Sequence, residues 1–563
     1  MQTAPQQTWL QRFGSFYSTP AATDRPGRQL AFLIGGIVIA DLLLWQNYSG
    51  ITGGLAILIA GLGFGLYHRE RFTRRPVYLT LCYLALIAAA CCWSATLLPL
   101  TLGIVMVPLF AVVAAAPTTH FPESLVFGSV SIAGGGAGLL YNAGEFTRRL
   151  RRVNAAGNYG CLAIVLPALA AFLAIVIFGG IFIFANPVVE HLWDALDLHL
   201  GDLFPSFGHC CFWVAVAWYL AGAFVPFLPA DVLRWLASLP EQLDREAPRQ
   251  GSRLEALIAI AVLGAVTLLF LAYNLLDANY LWLRAGLPAD ITYSQYSRQG
   301  TAWLTLALLL STLVIGAATS LRLAFHPWAK CIRLLAYAWA ALDLVLAVGV
   351  LRRIQLYVAY NGLTALRIVG IVGTLLVIAG LLIMVAKIAR QRNLVWIIRR
   401  DCLAFAVALV ALAAFPSDWV CARFNVHQAL HGNSRPLVWL AEQENDLTSE
   451  ALPALLPLLD HPDTVVRSGI AAYLGTEYRR LSAVIAGDTQ APAPRGLSDY
   501  WAHRRLTARQ EALLLHGTSD HHQTADCTAL YDDEYRHDNP AWREFKDYVR
   551  RWRNGSRDSS RDD

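Results

Sequence analysis

The chain has 563 residues, 56% of them hydrophobic and 15% charged, with mean hydropathy +0.44 and formal net charge +5. A soluble globular protein carries about 25% charged residues. The composition therefore excludes a disordered chain, a collagen-like fibre and an ordinary soluble enzyme, and it points to a chain whose solvent is mostly lipid.

In chain order, residues 1–28 form a polar segment without a signal-peptide pattern. A spanning helix needs about 20 apolar residues, because the hydrocarbon core is about 30 Å thick and each residue rises about 1.5 Å. Eleven runs meet or approach that length: 29–45, 51–67, 77–92, 97–116, 159–184, 208–228, 254–276, 301–321, 331–351, 368–389 and 402–420. The last is the weakest, since Pro416 and Asp418 lie inside it. A glycine-rich stretch, 125–144, can span, re-enter or lie on the surface. Gly61 and Gly65 fit a close helix–helix contact, as any small-residue pair does.

Charge orients these runs. Up to Pro416 the chain holds 28 basic and 18 acidic residues; from Ser417 it holds 17 basic and 22 acidic. With eleven spans and a cytoplasmic N-terminus, 23 of the 28 basic residues fall on the inside, as the positive-inside rule requires. The five exceptions are Arg284, Arg298, Arg352, Arg353 and Arg367. If 125–144 also spanned, every later loop would invert and the bias would largely vanish. The fold expected is all-α: a polytopic transmembrane bundle of about eleven spans over 29–420, then a small, mostly helical region over 421–553 on the outer, periplasmic side and a disordered tail over 554–563. The expected place is a bacterial inner membrane.

Within the tail, 450–474 reads as two short helices around a turn, with LLDHPDTVVR resembling one HEAT-type hairpin. One such pair cannot bury a solenoid core alone, so it is expected to pack on the membrane domain. Residues 541–553 read as a basic, aromatic helix. Cys421 and Cys527 can pair in an oxidising compartment or remain free thiols.

Four stretches resemble a bacterial family of polytopic membrane proteins known only as a domain of unknown function, placed here as number four-one-seven-three. They are FANPVVEHLW (184–193), YLWLRAGLPADITYSQYSRQG (280–300), LRRIQLYVAYNGLTALR (351–367) and ARFNVHQAL (422–430). The resemblance covers roughly 159–458. It implies a multi-span membrane protein and no reaction. Carboxylates common in that pattern are replaced by Gln295 and Ala359, and Asn361 stands where an aromatic is usual. These departures weigh against an enzyme.

The second and third motifs bring arginines and aromatics to the outer face. Tyr280, Trp282, Tyr293, Tyr296, Arg298, Arg352, Arg353, Tyr357, Tyr360 and Arg367 are the candidate ligand-binding residues, suited to a carboxylate, phosphate or lipid headgroup. Tyr and Trp also collect at membrane interfaces with no ligand at all. Asp343, at the middle of its run, is the candidate intramembrane acid; it can relay protons or simply be hydrogen-bonded by neighbours. The cluster His516, Asp520, His521, His522, Asp526 and Cys527 lacks a zinc-site spacing and reads as a polar loop, so no metal is expected. No P-loop, GxSxG or dinucleotide motif occurs in usable context, and no cofactor or nucleic-acid partner is expected. The expected partners are the lipid bilayer and an anionic ligand or a protein at the outer face. Binding or sensing there is favoured over transport of a small solute, and both over an enzyme acting on a lipid-linked substrate.

Overall fold

The computed structural model describes residues 26–45, 49–67, 75–94, 96–115, 120–135, 206–224, 253–281, 326–392, 394–442, 447–487, 496–511 and 539–559, with isolated positions at 235, 238, 307–323 and 513. Among the described residues every regular element is helical. Apolar backbone removed from water satisfies its N–H and C=O groups within the helix, and that accounts for the choice.

Helix α1 (Pro26–Ala40) starts on a proline, whose missing N–H costs nothing there, and ends in a π-helical turn at Asp41–Trp45. Helix α2 (Gly50–Tyr67) opens with Ser49 and Thr52 exchanging backbone and side-chain hydrogen bonds. It packs tightly on α3 (Arg75–Ser94): Gly54 lies on Ala88 and Cys92, and Gly61 on Leu84, where a Cβ would collide. Helix α4 (Leu97–Ala115), α5 (Phe121–Ala133) and α6 (Phe207–Phe224) complete the first group around Phe64, Leu84, Ile87 and Phe110. Trp218 Nε1 donates to the Ile132 carbonyl at 2.8 Å, and Tyr219 donates to the Ile104 carbonyl at 2.7 Å.

The second group comprises α7 (Arg253–Leu281), helical residues within 307–319, α8 (Ala329–Asn361) and α9 (Ala365–Arg390). Arg253 lies over Trp328 at one end and Asp277 pairs with Arg353 at the other, so α7 and α8 run parallel. Helix α9 returns antiparallel after the short turn 362–364, and α10 (Leu394–Ala414) rises again. Two ends result. The basic end carries Arg253, Lys330, Arg333, Arg390 and Arg392. The loop end carries the 362–364 turn and helix α11 (Ser417–Leu430).

Among the described residues five helices are long and apolar enough to cross a membrane: Pro76–Ser94, Leu97–Ala114, Arg253–Ala278, Ala329–Ala359 and Ala365–Arg390. The bent pair Val395–Ala414 and Ser417–Leu430, folded by 65°, makes six if it is one broken span. This corrects the expected eleven. Proline at 416 turns the last run at a break, as an N–H-less residue does. The runs at 31–45, 50–66 and 208–223 form shorter apolar helices; the described start of 125–144 belongs to the helix Phe121–Ala133, about 20 Å at 1.5 Å per residue, and 136–144 lie outside the described residues. The run 159–184 and most of 301–321 fall outside the described residues.

Beyond α11 the chain covers the loop end. Short helices α12 (Val438–Glu442) and α13 (Leu452–Leu455), flanked by 3-10 turns, lead into α14 (Thr464–Ala486), α15 (Leu497–Thr507) and α16 (Pro540–Ser559). Asp463 caps α14 by accepting from Val465 N at 2.9 Å. Trp542, Phe545 and Val549 of α16 are fully buried, and Phe545 fills the space above Gly469. One apolar cluster joins Ile368, Cys421 and Val426 of the bundle to Leu437, Leu455, Ile470 and Trp542.

Candidate functional site

The loop end is built by the third and fourth motifs together. Helix α8 stops at Gly362, whose φ of +79° suits glycine and whose Cβ position would strike Asn425 and Pro436. Asn425, fully buried on α11, bonds both backbone groups of Leu363. Thr364 then caps α9 by accepting from Arg367 N. These strings thus have a plain local role: they form one turn and its clamp.

The candidate arginines divide by partner. Arg353 is 1% exposed and pairs with Asp277, with Tyr273 Oη at 3.4 Å. Arg367 donates to the carbonyls of Asn361 and Gly362, and its guanidinium lies 4.3 Å from the Tyr357 ring centroid. Arg352 is partly exposed; Nη1 donates to Gln355 at 2.9 Å, and Nε, itself buried, has no hydrogen-bond partner among the described residues. Tyr357 and Arg367 are thereby brought into contact at the turn, while Arg352 and Arg353 lie about two to three helical turns earlier on α8 with partners of their own. Tyr280 lies in the last turn of α7, and Tyr360 in the last turn of α8. Trp282, Tyr293, Tyr296 and Arg298 lie outside the described residues, as do Gln295 and the tail histidine cluster.

Asp343 is fully buried in the middle of α8, about two turns below Arg352. Ser311 and Trp339 flank it, yet neither carboxylate oxygen makes a hydrogen bond of normal geometry among the described residues. Asn274, one layer away on α7, donates to the carbonyls of Phe270 and Leu342. No group of three metal-ligating side chains is present among the described residues.

Three polar contacts escaped the sequence reading because their partners are far apart in the chain. Asp41, in the π turn, accepts from His209 and from Trp213 Nε1, while Trp45 stacks on His209 with 4.7 Å between centroids. Glu450 accepts from Trp93 Nε1 at 2.8 Å and from Asp418 N at 3.1 Å, tying the C-terminal helices to α3. Burial pushes the Glu450 carboxyl above its ordinary value, opposed by the Trp93 bond. Lys387 is buried and donates to Gly316 O, Thr319 O and Thr319 Oγ1. The one local signal available was Asp41, a carboxylate that interrupts an apolar run.

Long apolar helices packed in this way, with polar groups confined to a few buried contacts and to one covered end, define a multi-pass helical membrane protein. The family model described as Domain of unknown function (DUF4153) matches residues 54–458, and the chain belongs to that family. The motifs thus pointed to the right kind of family under the wrong number. The match begins well before 159, and α14 to α16 lie beyond it. No curated protein and no solved structure matches the chain.

Proposed function

We propose that the chain is a bacterial inner-membrane protein that binds an anionic or amphiphilic ligand, or a partner protein, at its loop end. In this reading the N-terminus is cytoplasmic and the loop end, with the C-terminal helices, is periplasmic. One observation carries the ligand assignment. Arg353 is matched by Asp277 and Arg367 is spent on carbonyls, whereas the partly exposed Arg352 guanidinium bonds the neutral Gln355 and has no acidic partner among the described residues. A cation toward the loop end of a membrane helix, without an acidic partner, is suited to a carboxylate or phosphate. The shared core and the Trp93–Glu450 bond supply a route by which ligand binding at the turn shifts the C-terminal helices.

The test is a thermal-shift series on detergent-purified protein with short-chain carboxylates, phosphate esters and lysophospholipids. At least one class is expected to stabilise the wild type and not Arg352→Gln. Equal shifts in both proteins count against the reading.

Transport of a small solute is the second reading, and Asp343 is the observation that favours it. A buried acid without a described partner is a functional candidate in a membrane. Vesicle flux that survives Asp343→Asn unchanged would remove it.

A further inference from the structure

At the opposite, basic end, a small cleft open to solvent lies between residues Thr319 and Leu323, the start of α8 and the end of α9. Its walls combine two chemistries. Leu323, Ala329, Ile332 and Ile388 are apolar; Arg333, Lys387 and Arg392 are cationic. No acidic residue is among those that line it. Arg333 is half-buried and Arg392 exposed, and neither side chain has an ion-pair partner among the described residues. Lys387 is held by three hydrogen bonds to Gly316 and Thr319. The first turn of α8, a 33-residue helix whose N-cap residue Trp328 contributes no side-chain cap, lines the same space. The helix dipole at that end favours an anion.

We propose that this cleft binds the phosphate group of an anionic phospholipid, with Arg333 and Arg392 as the headgroup donors and the apolar wall receiving the start of the acyl chains. Basic pockets between membrane helices at a membrane–water boundary recognise lipid phosphate in this way. A free phosphate would use the arginines equally well but would leave the apolar wall without a role, so the lipid is the better fit. This site is separate from Arg352: it lies at the other end of α8 and does not depend on the loop-end reading.

The experiment compares full-length protein in nanodiscs of phosphatidylcholine with nanodiscs containing phosphatidylglycerol, reading the thermal midpoint and, by native mass spectrometry, the number of retained phosphatidylglycerol molecules. Phosphatidylglycerol is expected to raise the midpoint and leave bound lipid on the wild type. Lys330→Gln, which removes a neighbouring charge outside the cleft, is expected to keep both effects. Arg333→Gln/Arg392→Gln is expected to lose more than half of the shift and the retained lipid. Arg392→Gln alone, at an exposed position that packing does not need, gives a smaller loss and serves if the double variant misfolds. A full shift in the arginine variants overturns the proposal. So does an equal shift produced by inorganic phosphate in phosphatidylcholine discs, which would assign the cleft to a free anion.

Discussion

The Asn425 carboxamide closes on both backbone groups of Leu363, accepting from its N–H at 2.7 Å and donating to its carbonyl at 2.8 Å. Two segments 62 residues apart are thereby locked into one turn at the loop end. Asn425→Ala leaves both groups unpaired and should cost about 1–3 kcal/mol. Gly362→Ala should cost at least as much, because it adds about 1–2 kcal/mol of left-handed strain to a collision with Asn425. Thermal midpoints of the two variants in detergent check both statements.

Arg353 and Asp277 form a buried pair, so the partner left behind after a single truncation is a desolvated charge. Arg353→Leu or Asp277→Leu alone should destabilise by about 3–5 kcal/mol, and the double variant by clearly less than their sum. A double-mutant cycle by chemical denaturation measures the coupling; additive losses would argue against the pair.

Glu450 gives the docking of the C-terminal helices a pH dependence. Its folded value is raised, chiefly by burial, so the folded state binds a proton that the unfolded state has released. Its contribution to stability is fully present below the ordinary value of 4.5, and falls as pH rises from there through the folded value. Asp463 acts oppositely: burial would raise it, but the Tyr548 and backbone hydrogen bonds win and lower it. Its contribution is lost as pH falls through its folded value. Protease release of the C-terminal helices should therefore quicken from mildly acidic toward neutral pH, and Glu450→Gln should flatten that rise.

Much of the fold was legible along the chain, because membrane helices announce themselves as apolar runs and Pro416 marks a break. The span count was not. Apolar runs of 15–18 residues satisfy a hydropathy criterion yet end early, as α1 does at the Asp41 π turn. The arginines were found by their breach of the charge bias, but their roles depend on Asp277, Asn361 and Gly362, and on where those residues sit in three dimensions. The Asp41–His209 and Trp93–Glu450 contacts link positions 168 and 357 residues apart, beyond the reach of any local pattern.

Helix α16 holds the C-terminal cover with an aromatic face. Trp542→Ala should cost about 3–5 kcal/mol, since Trp542 is fully buried against Tyr473 and Phe545. Arg550→Ala, on the exposed face, should stay within about 0.5 kcal/mol of wild type. Hydrogen exchange over 464–486 reports both.

Ligand binding beside Arg352 is tested most directly by photocrosslinking in cells. Gln355, which accepts from Arg352, and Val348, an exposed apolar position two turns earlier on α8, would each be replaced by benzoylphenylalanine. The account predicts a discrete anionic or amphiphilic adduct, or a single crosslinked protein, at position 355 and only bulk lipid at position 348. Identical adduct profiles at the two positions would contradict it.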